Sequence, residues 1–203
     1  MSIVKLNNRS VKDITAFGSI SSLGSLTHIA TQTASSSASL SFTSGIDSTY
    51  KEYIFYLVDI HPATDDANFL FNMSIDSGSN YNVTKTSTFF RSYHQEDASQ
   101  QGVSYYANGD LAQSTGTQLL SYGCGNDNDQ CTTGFLHLFN PSSTTFVKHF
   151  IARGSATNDS DDANDIFLSG YFNTTSAIDA MQFKFYSGNI DAGTIKLYGI
   201  KDS

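Results

Sequence analysis

The 203-residue sequence contains no tryptophan, two prolines, two cysteines and few charged residues. Asp, Glu, Lys and Arg make up 15% of the chain, whereas soluble domains usually carry about 25%. This scarcity of helix-favouring charged residues disfavours a helical bundle or a coiled coil. No apolar run approaches the ~18 residues of a membrane-spanning helix, so we expect no membrane insertion. The apolar content of 39% excludes wholesale disorder.

Basic residues are particularly scarce, since 11 Lys and Arg stand against 19 Asp and Glu, a net charge of −8. No stretch is basic enough to neutralise a run of phosphates, and we therefore expect no nucleic-acid binding. The first nine residues lack the apolar core of a signal peptide. The sequence thus predicts that the protein is made in the cytoplasm and leaves the cell only as part of a larger assembly.

Hydroxyl and aromatic side chains dominate instead, with 30 Ser, 20 Thr, 15 Phe and 11 Tyr. Thr, Tyr and Phe favour β-strands, and short segments of strand character follow one another between turns of Gly, Asn, Asp and Ser. In residues 181–186 apolar and polar side chains alternate up to the last position, as in a half-buried antiparallel strand. About ten such segments predict an all-β fold, an antiparallel jelly-roll-like β-sandwich over residues 29–203.

Two segments depart from this regular alternation. Residues 53–58 are apolar at every position, which predicts a central strand covered on both faces. Residues 95–120 are the least periodic part of the body. We expect long loops there, with one weak strand near residues 103–106.

Residues 1–28 differ from the rest because single apolar residues are scattered among Gly and Ser without a sustained period. This pattern predicts an extended N-terminal arm that gains order by lying on a larger assembly, and the alternative is a plain flexible terminus. The residues expected to make that attachment are Ile3, Val4, Leu6, Ile14, Phe17, Ile20, Leu23 and Leu26.

No catalytic motif is present in the sequence. It contains neither a Gly-x-Ser-x-Gly elbow nor a phosphate-binding loop, and its five histidines show no helical metal-site spacing. We therefore expect a protein that is not an enzyme and that uses no cofactor.

Two acidic loops and a cysteine pair remain as candidates for chemistry. Carboxylates in these loops are hard ligands of the kind that calcium prefers, although Asn and Asp are equally the usual residues of tight turns. Cys124 and Cys131 could close a disulfide loop in an oxidising medium, or stay reduced. The weak calcium candidates are Asp127, Asp129, Asp161 and Asp162.

Tyrosines beside Asn and Asp suggest sugar binding. An amphipathic ring can stack on a glycan while neighbouring polar groups bind the sugar hydroxyls, but tyrosine is also simply common in β-strands. The possible receptor contacts, in or beside the irregular middle loops, are Tyr93, Tyr105, Tyr106 and Tyr122.

A resemblance to a known family rests on segments spread over nearly the whole chain. They are residues 2–9 (SIVKLNNR), 16–25 (AFGSISSLGS), 49–55 (TYKEYIF), 60–64 (IHPAT), 77–84 (SGSNYNVT), 140–143 (NPSS) and 193–200 (GTIKLYGI). Together they resemble virion structural proteins of bacteriophages, especially of marine and cyanobacterial phages. The resemblance implies a non-enzymatic part of the particle with a jelly-roll body, made in the host cytoplasm and located in the virion.

The resemblance leaves the place in the particle open. The first hypothesis is a tail fibre or appendage that presents the sandwich for recognition of a host-surface glycan and docks to other virion proteins through its arm. The alternative is a capsid decoration or vertex protein that stabilises the shell. A more remote alternative is a free carbohydrate-binding module or glycan hydrolase. A homo-oligomer is expected, a trimer by analogy.

Overall fold

Twelve strands make up the regular structure in the computed structural model of the protein, which describes residues 25–201. In chain order they are β1 (Leu26–Thr33), β2 (Leu40–Phe42), β3 (Glu52–Pro62), β4 (Ala67–Ser74), β5 (Lys85–Gln95), β6 (Gln101–Tyr105), β7 (Gln118–Cys124), β8 (Thr132–Phe139), β9 (Lys148–Thr157), β10 (Asp162–Phe172), β11 (Ala180–Phe185) and β12 (Ile190–Ile200). Within residues 25–201 no helix is long and apolar enough to cross a membrane.

The strands form two antiparallel sheets. The large sheet has eight strands in the order β1-β12-β3-β8-β9-β10-β5-β6, and the small sheet has four in the order β2-β11-β4-β7. From β2 to β5 the chain changes sheet at every connection, as it does in a jelly roll. The predicted jelly-roll-like β-sandwich is therefore confirmed, with twelve strands instead of about ten.

Phenylalanine dominates the core between the sheets. The ring of Phe183, on β11, lies with its centroid 5.4–6.4 Å from four other phenylalanine rings. Three of these rings belong to the small sheet and one, Phe55, belongs to the large sheet. Burial of alternate residues along β11 confirms the half-buried strand predicted near 181–186. The four rings around Phe183 are Phe42, Phe55, Phe69 and Phe71.

The outer face of the large sheet is open to solvent along β3. Tyr53, Phe55 and Leu57 are buried on its inner face, but Tyr56 is only half-buried and Val58 is exposed. The prediction that residues 53–58 are covered on both faces was wrong. In this strand the outward-pointing residues are as apolar as the buried ones.

Loops cover the outer face of the small sheet. Asn72, which points outward from β4, is 3% exposed, and its side-chain amide donates to the carbonyl oxygens of Tyr81 at 2.7 Å and Thr115 at 3.1 Å. Thr115 lies in the predicted irregular region, where β6 is the one strand between Gln95 and Gln118. The prediction of long loops with one weak strand is thus confirmed.

Two fully buried lysines lie at one end of the sandwich, directly opposite Phe172 on its two neighbouring strands. Lys85 Nζ donates to the carbonyl oxygen of Gly116 at 2.5 Å, and burial lowers the pKa of Lys85 to about 8. Lys148 Nζ donates to three loop carbonyls at 2.6–3.2 Å, and burial lowers the pKa of Lys148 too. The two buried ammonium groups thus hold loops against the strands through hydrogen bonds to loop carbonyl oxygens.

Candidate functional site

The outer face of the large sheet carries most of the exposed apolar side chains in residues 25–201. Of nine large apolar side chains that are exposed, six lie on this face, with exposed fractions between 37% and 75%. Such a concentration is typical of an interaction surface. The six residues are Leu26, Val58, Phe90, Val103, Tyr105 and Ile151.

Strand register places aromatic and charged side chains in one line across this face. Each member lies directly opposite the next on the neighbouring strand, over seven consecutive strands. Six inter-strand spacings of about 4.8 Å give a length of about 29 Å. We call this line the aromatic row, and its members are Tyr105, Phe90, Phe167, Arg153, Phe135, Tyr56 and Lys196.

The centre of the aromatic row is held by stacking and by an ion pair. The rings of Phe90 and Phe167 stack at 4.6 Å with an interplanar angle of 4°. The Arg153 guanidinium carbon lies 4.6 Å from the Phe167 ring centroid, and the guanidinium donates to both Asp165 oxygens, at 3.0 and 2.7 Å. These hydrogen bonds lower the pKa of Asp165. A guanidinium has five N–H groups, so three remain for a ligand.

Three adjoining grooves flank the aromatic row, with volumes of about 240, 440 and 600 Å³. Phe135 borders all three grooves, and Arg153 borders the first two. The first is lined mainly by apolar side chains, whereas Thr133, Ser155 and Asp165 add polar groups to the second. The surface therefore offers flat apolar rings next to hydrogen-bonding groups.

The structure places the four tyrosines named as possible receptor contacts in two separate groups. Tyr105 ends the aromatic row, and its hydroxyl donates to the Asp110 carboxylate, which raises the pKa of Tyr105. The other three surround Arg91, whose guanidinium carbon lies 4.5–5.6 Å from their ring centroids. Cation–π contacts of this kind stabilise a half-buried arginine. The three residues of this cluster are Tyr93, Tyr106 and Tyr122.

Three of the weak calcium candidates lie in loops between strands, and the fourth, Asp162, is the first residue of β10. Asp127 and Asp129 are exposed, Asp161 accepts a hydrogen bond from Gln130, and Asp162 is buried and accepts one from Asn158. In the part of the chain that the structure describes, no three His, Cys, Asp or Glu side chains are grouped so as to hold a metal ion.

Cys124 and Cys131 are both free thiols. Cys124 is buried, and its burial raises the pKa of the thiol to about 11. Burial raises the pKa of Cys131 as well. Neither thiol has the lowered pKa of a reactive cysteine.

Of the residues expected to attach the arm, only Leu26 lies among those that the structure describes. It is the first residue of β1, so the sandwich begins before the predicted boundary at residue 29. Its exposed side chain borders the third groove, together with Tyr56 and Tyr198. The others lie outside the described residues: Ile3, Val4, Leu6, Ile14, Phe17, Ile20 and Leu23.

No known protein family, curated protein or solved structure matches the chain. The candidate site therefore rests on the geometry of the sheet. Most members of the aromatic row do not stand out in the sequence, because Phe90, Phe135 and Phe167 each adjoin buried apolar residues and look like core positions. Successive side chains of a strand point to opposite faces, so an aromatic residue directly next to a buried position points away from the core. That position is the signal that could have identified these three phenylalanines in the sequence.

Proposed function

We propose that the protein is a non-enzymatic structural component of a bacteriophage virion that recognises a host-surface glycan through the outer face of its large sheet. The observation that carries the recognition role is the aromatic row with the Arg153–Asp165 ion pair at its centre. The place in a virion is supported by the resemblance of the sequence segments.

The chemistry of the face suits a sugar better than a protein partner. A pyranose presents apolar C–H groups to an aromatic ring and hydroxyl groups at its edge, so it needs rings and hydrogen-bonding groups side by side. Serine is depleted in protein–protein interfaces, yet Ser155 and Ser169 line grooves on this face, and Ser92 lies on the same face opposite Asp165. Arg153 adds donors, and Asp165 adds acceptors, beside the Phe167 ring.

The Phe167→Ala variant tests the recognition role. It removes the ring that stacks on Phe90 and packs against Arg153, and we expect affinity for the glycan to fall about tenfold, equivalent to 1.4 kcal/mol. A glycan array identifies the ligand, and calorimetry then measures the Kd of that glycan for wild type and for Phe167→Ala. Tyr186→Ala, which removes a ring exposed outside this face, is the matched control and should bind like wild type. Equal affinities of wild type and Phe167→Ala, or no glycan bound at all, would contradict the proposal.

Location in purified particles tests the virion role. We expect density for the sandwich at the tail in cryo-electron microscopy of the phage. Deletion of residues 1–24, which ends before β1, should leave a folded body that no longer enters particles. Density on the capsid lattice would instead support the decoration alternative. Absence of the protein from particles would refute the virion role, and normal incorporation of the truncated chain would refute the arm's part in it.

A further inference from the structure

We infer that the ligand is a linear oligosaccharide lying across the strands along the aromatic row, and not a single terminal sugar. This inference rests on the proposed function and concerns the same face. It specifies the class of glycan and the direction in which it binds.

The site is continuous across most of the large sheet. The aromatic row crosses seven strands with every member opposite the next, over about 29 Å. The three grooves share Phe135 as a border and lie open to solvent side by side. A terminal sugar is typically held in one enclosed pocket with converging polar groups, whereas this face repeats shallow grooves along a line.

A line of polar side chains runs parallel to the aromatic row. The members lie directly opposite one another on four adjacent strands, two positions along each strand from the aromatic row. Side chains two positions apart on a strand share a face, so the two lines lie side by side and the second groove lies between them. We call it the hydroxyl row, and it consists of Ser92, Asp165, Ser155 and Thr133.

The two rows together define a direction. A sugar chain that runs across the strands can keep its ring faces on the aromatic row and its hydroxyl edge on the hydroxyl row over several units. A sugar chain that ran along one strand would contact only one member of the aromatic row, because each strand contributes one member. Arg153 and Asp165, which connect the two rows by their ion pair, then contact the middle of the ligand, and Tyr105 and Tyr56 lie towards its ends.

The test uses oligomers of increasing length. The polysaccharide with the strongest signal on the glycan array is cut into a ladder from one sugar unit to about eight, and Kd is measured by calorimetry. We expect the affinity to rise at least tenfold from the monosaccharide to a plateau. Tyr56→Ala and Tyr105→Ala should each weaken the longest oligomer several-fold, whereas the shortest oligomer that binds is weakened by no more than one of them.

The controls separate this inference from the proposed function. Phe146→Ala removes an exposed loop ring that lines none of the three grooves, and it should change no affinity. Thermal unfolding checks that each variant is folded, and Tyr105→Ala removes a largely exposed side chain. If the monosaccharide binds as tightly as the longest oligomer, or if neither end variant weakens the longest oligomer, the inference fails, while loss of binding in Phe167→Ala would still uphold glycan recognition.

Discussion

Replacement of Phe183 by alanine is expected to lower the free energy of unfolding by about 3–5 kcal/mol. The side chain is fully buried, and its ring lies within 6.4 Å of four other phenylalanine rings that come from both sheets. Because these neighbours belong to hydrogen-bonded strands, they cannot move far enough to fill the space. The variant therefore loses both the burial of the ring and the contacts across the cavity left behind.

Urea unfolding of wild type and Phe183→Ala measures this loss. Tyr186→Ala is the matched control, because it removes a ring from a highly exposed position just beyond the same strand. Its free energy of unfolding should stay within about 0.5 kcal/mol of wild type. A loss below about 1 kcal/mol in Phe183→Ala would mean that the two sheets do not pack through this ring.

Lys85→Met is expected to change how the stability depends on pH. The pKa of Lys85 is about 8 in the folded protein, against 10.5 for an ordinary lysine. Below pH 8 the folded protein carries the full cost of the buried charge. Between pH 8 and 10.5 the unfolded chain binds more protons at this position, so the contribution of Lys85 to stability rises with pH. The stability of wild type relative to Lys85→Met should thus rise by roughly 3 kcal/mol between pH 7 and 10.5.

The comparison of two proteins isolates Lys85 from other groups that titrate in this range. Burial raises the pKa values of Cys124 and Tyr53, which lowers stability as pH rises above 9, and the lowered pKa of Lys148 acts in the opposite direction. These groups are present in both proteins. Lys51→Met, at an exposed position, should follow the wild-type curve. If the free energies of unfolding of wild type and Lys85→Met change in parallel with pH, the prediction is wrong.

The sequence pattern predicts the class of fold because alternation of apolar and polar residues states which face of each strand is buried. Residues 181–186 are the clearest example. Alternation does not state which strands are neighbours. The pairing of β1 with β12 joins segments that are distant in the chain, and it follows from the packing of the whole domain.

The same limit applies to the candidate site. In residues 53–58 the outward side chains are as apolar as the inward ones, so an open aromatic face looks like a second core face in the sequence. Tyr56, a member of the aromatic row, lies in this segment. Of the four tyrosines chosen as receptor contacts, three pack around Arg91 and only Tyr105 lies in the aromatic row. The sequence shows where an aromatic residue is but not the direction in which its side chain points.

The position of β12 between β1 and β3 has a consequence for biosynthesis. Leu26 pairs with Ile200, 174 positions later in the chain. At about 5–20 residues per second, a ribosome needs roughly 10–35 seconds to make the residues in between. During that time β1 has no partner strand, and its hydrogen-bonding edge is exposed to other nascent chains. The large sheet is therefore completed only after β12 has been made, and slower elongation should favour aggregation of this chain over folding.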